Sequence, residues 1–455
     1  MRIKNIVKSG TFWLRRSPET KVSGEIQIDN GGEITLSLIG VLHEGLEVEK
    51  YFDVLGVVEG EKGITLQGCS YRRRSLFNRG VTTSIINAQR AIENGHFIYD
   101  EEPLFNEVSF STDLLIEWLE LSSISVKNNE ENSSLVVKIF DPIKHLLPNG
   151  DVITVYFNTR GPSSRMSNRM AIEQVAMIRY TSKDYISLND LLAKADAIRN
   201  FISLGIGFNV CFTDMLVHSK ETQEIFLEKG LRVYFKDMNF RENSYQLYSY
   251  EMLFTYHEIK NGLHKFIGSW LELSGSEMDV IGQYFSVLSG KALNEEMGFL
   301  HFAQGLESLH SSRFQESGYL PELEFNSLLS LLVEAAPKEH SSWVHDKLKH
   351  GNNPPFSKRI KSLVNKYPET FGNSKQRKIF SENVFNARNI LTHQGKEQLF
   401  QHLKSQTIVD VKNLVRVLYQ HIFMELIGFE HQQSVKLLSK HKYTKSVLEA
   451  SLPTT

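Results

Sequence analysis

The stretch Lys378-Ile379-Phe380-Ser381-Glu382-Asn383-Val384-Phe385-Asn386-Ala387-Arg388-Asn389-Ile390-Leu391-Thr392-His393-Gln394-Gly395 decides how the C-terminal third of the chain is read. Phe380, Val384, Phe385, Ile390 and Leu391 recur on one side at helical spacing, and the Gln-Gly pair supplies a C-terminal stop. His393 therefore falls in the last helical turn. Free carbonyls and the negative end of the helix dipole there favour the imidazolium form.

Arginine five places before histidine suits RNA cleavage without a metal ion. In that reaction the ribose 2′-OH attacks its own neighbouring phosphate and leaves 2′,3′-cyclic phosphate and 5′-OH ends. His393 is the candidate acid/base, since a pKa near 6.5 lets imidazole take or give a proton at neutral pH. Arg388 stays charged and can fork two N–H groups onto the phosphorane oxygens. Asn389 is the candidate positioner of the phosphate or the imidazole. DNA, lacking the 2′-OH, would be spared. In a bundle without this chemistry, Arg388 and His393 would be a core-edge ion pair or a helix cap.

A motif this short also arises by chance, and the chain holds a second copy, Arg416-Val417-Leu418-Tyr419-Gln420-His421. That copy lies inside an unbroken helical run, Ile408 to Phe429, so its two side chains read as solvated or groove-lining positions of a packed helix. The first copy, with its break, leaves room for a substrate. Residues five apart on a helix stand roughly 140° apart around its axis. Either the helix distorts near Gly395, or two copies of the motif meet across a two-fold axis; the second is expected, because isologous dimers are the commonest soluble assemblies.

Working outward, the first 180 residues are β-rich. Val22–Asp29 and Glu33–Leu42 alternate around Asn30-Gly31-Gly32, a hairpin signal. Gly63–Cys69, Phe97–Tyr99, Val108–Phe110, Ser134–Phe140 and Val152–Phe157 continue the pattern, with loops at Asn128–Ser134 and Asn158–Asn168. A helix is expected over Leu188–Leu204, a strand over Leu231–Phe235, and helices from Tyr256 onward. A chain of 455 residues exceeds one core. The expected division is a β-rich domain over 1–180, a mixed, mostly helical extension over 181–285, and a helical bundle over 286–455. The fold class is thus α+β, a β-rich N-terminal region with some helices followed by an all-α bundle.

The C-terminal segment resembles a HEPN domain, an all-α family whose nucleases carry an Arg-x4–6-His motif, commonly as Arg-Asn-x-x-x-His. The preceding 280 residues are similar to the N-terminal domain of ApeA-type anti-phage proteins. The stretches that carry this are Thr11-Phe12-Trp13-Leu14, Val22-Ser23-Gly24-Glu25-Ile26, Gly63-Ile64-Thr65-Leu66-Gln67-Gly68-Cys69 and Tyr185-Ile186-Ser187-Leu188-Asn189-Asp190-Leu191-Leu192, in that order. Phe302-Ala303-Gln304-Gly305-Leu306-Glu307-Ser308-Leu309-His310 resembles the first bundle helix of this HEPN type, and Glu307 within it either faces the cleft and orients Arg388 or is simply exposed. The resemblance implies an abortive-infection ribonuclease acting as a homodimer with a composite site, and an N-terminal region that senses a phage-derived trigger or positions the RNA. Gln394-Gly395 stands where nucleotidyltransferase-paired HEPN toxins carry a tyrosine, so control through such a tyrosine is not expected. The alternative is a non-catalytic HEPN scaffold that binds a partner and signals by assembly.

Composition narrows the field. A formal charge of −2 excludes a bulk electrostatic grip on nucleic acid, so any RNA site must be a local basic patch. Two cysteines, Cys69 and Cys211, in apolar surroundings indicate a reducing compartment and no metal cluster. No signal peptide or long apolar run appears, so a cytoplasmic protein without membrane contact is expected. No cofactor is expected. His340, His345 and His350 recur at five-residue steps, which do not stack zinc ligands as an i, i+4 pair does. Arg72-Arg73-Arg74 reads as a solvated strand end or turn rather than a phosphate grip. Gly205-Ile206-Gly207 lacks the setting of a dinucleotide loop, and no nucleophile elbow or phosphate-binding loop is present.

Overall fold

The alternating segments near the N-terminus close into a barrel. The computed structural model describes the chain except residues 44–48, 61, 76–81, 97–102, 129–132, 162–170, 220–229, 244–245, 291–293, 315–317, 393–404 and 453–455. By internal contacts it divides into two compact units, Met1–Glu272 and Leu273–Thr455.

In the first unit, β1 (Ile6–Leu14), β2 (Ser17–Ile28), β3 (Ile34–Leu38), β4 (Phe52–Val58), β5 (Lys62–Ser75) and β6 (Thr83–Ala88) pair in the cyclic order β1-β2-β3-β6-β5-β4. Every pairing in the ring is antiparallel, and β1 joins β4 to close it. Closure removes the unpaired strand edges that would otherwise invite aggregation. The period-2 pattern sets the contents: Ile26 and Ile28 of β2 and Ile34, Leu36 and Leu38 of β3 point inward, while Glu25, Gln27 and Ser37 face out. Phe12, Val54, Leu66 and Ile86 complete this core, each side chain contributing about 1.5–3 kcal/mol by its burial.

Strand β5 is long enough to serve both the barrel and the rest of the sheet. Its Ser70–Ser75 half pairs with β6 inside the barrel, while Ile64–Gln67 also pairs with β7 (Arg90–Glu93). From β7 the sheet runs on through β15 (Leu231–Phe235), β14 (Phe212–Ser219), β8 (Phe105–Thr112), β13 (Glu173–Ile186), β12 (Val152–Arg160) and β11 (Ile143–Leu146). Residues after 180 thus contribute two strands to the large sheet itself. A separate hairpin pairs β9 (Ile124–Asn128) with β10 (Ser133–Val137). The expected strand at Phe97–Tyr99 lies outside the described residues.

Short helix α1 (Leu115–Leu119) follows β8, and α2 (Leu188–Ile206) packs on β8 and β13 through Leu191, Ala195, Ile198 and Ile202. The Ser187 hydroxyl caps α2 by accepting from the Asp190 N–H at 3.1 Å, and Gly207 ends it in the left-handed region. One charge pair is buried here. Arg199 lies 3.2 Å from Asp237, whose other oxygen accepts the Phe212 N–H. Helices α3 (Tyr256–Ile259) and α4 (Leu263–Ser276) follow.

The second unit is helical. It contains α5 (Met278–Ser289), α6 (Glu295–Arg313), α7 (Glu322–Ala335), α8 (Ser341–Leu348), α9 (Phe356–Asn365), α10 (Pro368–Phe371), α11 (Ser374–Thr392), α12 (Ser405–Leu426), α13 (His431–Lys440) and α14 (Lys442–Ser451). Helix α12 runs through the core, buried continuously from Leu414 to Met424. It packs on α6, and Tyr284 of α5, Phe302 of α6 and Tyr419 and Phe423 of α12 form an aromatic cluster with ring centres 5.2–5.8 Å apart. Gly305 permits that approach, since a Cβ there would press on the Tyr419 hydroxyl. Among the described residues no helix is long and apolar enough to cross a membrane.

Candidate active site

Helix α6 starts at Asn294, whose side chain accepts the Met297 N–H at 2.9 Å, with Glu295 and Glu296 in the first turn where the helix dipole favours acids. Its buried face, Phe299, Phe302, Ala303, Leu306 and Leu309, fixes its rotation. Glu307 is thereby turned to the rim of the core. Helix α11 is anchored by Phe380, Val384 and Ala387, and Arg388 follows at the edge of that stripe.

The two side chains meet. Arg388 Nη2 donates to Glu307 Oε2 at 2.6 Å, the short distance of a charge-assisted bond. The guanidinium also lies 4.3 Å over the ring of buried Phe356, the first residue of α9. Pro354-Pro355 leads into that helix, with Pro355 at its N-cap. Arg359, one turn further on, ties the same corner together. Its Nε donates to the Pro354 carbonyl at 2.8 Å, its Nη1 to the Glu307 carbonyl at 3.3 Å, and it also bonds Ser311 Oγ. Arg388 and Glu307 each keep 31% of their side-chain surface in solvent, so the pair is held in place yet reachable.

Asn389 is half-buried at the next helical position, and Thr392 Oγ1 donates to the Arg388 carbonyl at 2.8 Å in the last described turn. His393 and the Gln394-Gly395 stop lie outside the described residues. The structure therefore brings Arg388 and Glu307 together, sets Asn389 at the helical position after Arg388, and describes α11 up to the residue before His393.

Of the two settings expected for the second Arg…His copy, solvated or groove-lining, the structure removes the first. Arg416 and His421 are buried, not solvated: His421 has no exposed surface and Arg416 stacks 4.1 Å over the Tyr443 ring. The physical reason is that α12 is covered on all sides from Leu414 to Met424, so its polar side chains Arg416, Gln420 and His421 are taken into the interior with its apolar ones. His340, His345 and His350 are exposed, as are Arg72 and Arg73 near the end of β5. Cys69 and Cys211 are buried free thiols whose pKa values burial raises, so both stay protonated.

Sequence reasoning missed Phe356 and Arg359, because their roles depend on partners at Arg388 and Glu307. It also passed over a local basic run. Between Phe356 and Lys378 stand Lys358, Arg359, Lys361, Lys366, Lys375, Arg377 and Lys378 against the single acid Glu369. A window of net charge would have found it.

A family model described as ApeA N-terminal domain 1 matches residues 8–270, and one described as Apea-like HEPN matches residues 300–433. No curated protein matches the chain, and no solved structure does.

Proposed function

Because the chain belongs to the ApeA family, an ApeA N-terminal domain followed by an ApeA-like HEPN domain of anti-phage defence, we propose that its helical unit is an endoribonuclease whose chemistry needs no metal ion. The observation that carries this reading is the aiming of Arg388 by Glu307 and Phe356, five residues before His393. A guanidinium fixed on two sides is pre-organised to receive phosphate, because its remaining N–H groups keep a set direction. In this proposal Arg388 neutralises the phosphorane, His393 moves the proton between the 2′-OH and the leaving 5′-oxygen, and Asn389 holds the phosphate or the imidazole. The basic run from Lys358 to Lys378 supports a grip on the RNA backbone that the overall charge of −2 would not supply.

We propose a homodimer with a shared cleft. Helices α7 and α8 support this, since Leu323, Leu331 and Trp343 are 83%, 64% and 63% exposed, and apolar surface of that kind marks association sites. The proposal assigns trigger recognition to the N-terminal unit. There a polar cleft lined by Asp53, Gln67, Arg90, Asn189 and Asp196 has room for a small polar group.

The test incubates wild-type and His393→Ala protein with total RNA in EDTA, with folding checked in the same buffer, and maps the new ends. Cuts made by wild type alone, carrying 2′,3′-cyclic phosphate and 5′-OH ends, are the expected result. If His393→Ala keeps its toxicity to the host cell, the protein is a scaffold that signals by assembly.

A further inference from the structure

Around the end of α12, three side chains outside the RNA-cleavage reading converge. His421 and Glu425 stand one turn apart on that helix. The chain then turns at Gly428, whose φ of +103° only glycine adopts readily, with the Gly428 N–H bonded to the Glu425 carbonyl and the Phe429 N–H to the Met424 carbonyl. The turn returns the chain so that His431, at the start of α13, faces Glu425. Nδ1 of His431 is 2.7 Å and Nε2 of His421 3.5 Å from Glu425 Oε1. One nitrogen of each imidazole and one carboxylate oxygen of Glu425 all lie within 4.8 Å of one another.

The far side of each group is held by a separate partner. His421 Nδ1 shares a 3.1 Å hydrogen bond with Thr370 Oγ1. His431 Nε2 is 3.1 Å from Glu369 Oε2, and the Tyr367 hydroxyl donates to Glu425 Oε2 at 3.1 Å. All three outer partners come from the α10 segment. His421 is fully buried, and its Nε2, the atom aimed into the cluster, has no hydrogen bond.

We propose that His421 Nε2, Glu425 Oε1 and His431 Nδ1 bind a divalent transition-metal ion of the zinc class. Two imidazoles and a carboxylate are a recurrent zinc set, and metal-bound histidines characteristically give their second nitrogen to a carboxylate or another oxygen, as Glu369 and Thr370 allow here. Bonds of about 2.1 Å in a tetrahedron set ligands roughly 3.4 Å apart. The His421–Glu425 spacing already matches, and the His431–Glu425 contact opens by about 0.7 Å when the ion enters. His431 is 37% exposed, so the fourth position opens toward water. The ion fastens α13 to α12 and to the α10 segment. Its role is to hold the helical unit together, separate from the cleavage chemistry.

Full-length protein, purified without a metal-affinity tag, is titrated with Zn²⁺ by calorimetry and thermal melting, and with Co²⁺ by visible absorption. Wild type is expected to bind about one ion per chain, melt higher with Zn²⁺, and show the d–d bands of a four-coordinate cobalt site. His421 is buried and its loss would unsettle the fold, so the variants are made at exposed positions. His431→Asn keeps the melting temperature of the metal-free protein and loses the Zn²⁺ shift, while Glu369→Gln weakens Zn²⁺ about ten- to hundredfold. No cobalt spectrum and no Zn²⁺ shift in wild type, or an undiminished shift in His431→Asn, overturns the site and leaves a purely hydrogen-bonded cluster.

Discussion

Arg388 and Glu307 are 81 residues apart in the chain and 2.6 Å apart in the helical unit. With each side chain 31% exposed, such an ion pair is worth only about 0–1 kcal/mol of stability. Its effect is on direction: the carboxylate on one side and the Phe356 ring on the other fix where the guanidinium points.

Glu307→Gln is therefore expected to slow single-turnover RNA cleavage by about ten- to hundredfold, the scale of a small misplacement of a charged group. Its melting temperature should stay within a few degrees of wild type. Arg388→Lys should lose more activity, because a point charge does not replace the planar fork. A full cleavage rate in Glu307→Gln would remove Glu307 from the site.

Gly305 faces the Tyr419 hydroxyl, which donates to the Phe302 carbonyl at 2.9 Å, and Gln283 Oε1. Replacing glycine inside a helix gains up to about 1 kcal/mol of propensity, whereas overpacking a filled core costs about 1–3 kcal/mol. For Gly305→Val the second effect wins, and urea unfolding should show a net loss. A variant as stable as wild type would mean that α6 and α12 can separate freely.

His441 is fully buried between α13 and α14 and bonds Thr444 Oγ1 at 2.8 Å. Burial, aided by the charge of Arg416, pushes its pKa down to about 3. An unfolded imidazole titrates near pH 6.5, so below that pH the unfolded chain binds a proton that the folded one refuses. Stability conferred by the neutral ring is complete above about pH 6.5 and falls toward pH 3, with a slope approaching about 1.4 kcal/mol per pH unit. Urea midpoints from pH 7 to pH 5 should fall more steeply for wild type than for His441→Gln. Equal slopes would show that another group controls the acid response.

Leu331 and Trp343 lie on the exposed faces of α7 and α8. Leu331→Glu with Trp343→Glu should leave the fold intact, since neither side chain is in the core, and should turn a dimer into a monomer by light scattering. RNA cleavage should fall with it if the cleft is shared. A double variant that stays dimeric moves the interface elsewhere.

Legibility in the sequence followed locality. The hairpin at Asn30-Gly31-Gly32, the helices over Leu188–Ile206 and Ser374–Thr392, and the strand Leu231–Phe235 are written in residues a few positions apart, whose periodicity or turn chemistry shows without a structure. The same holds for Arg388 with its neighbours Asn389 and His393, and for the change from a β-rich to a helical region. Arg416 and His421 show the limit: their helix was evident, but their burial depended on what surrounds it.

The sequence by itself determined the elements, the order of the two regions and the Arg-Asn-x-x-x-His motif, because each is set by backbone preference and side-chain spacing along one segment. The tertiary structure alone decided the closure of β1 onto β4 and of β5 onto β6, the setting of Arg388 between Glu307 and Phe356, and the meeting of His421, Glu425 and His431 with the α10 segment. Those contacts join residues that no shared period links. They form only when buried faces choose their partners and bring distant polar groups to the same place.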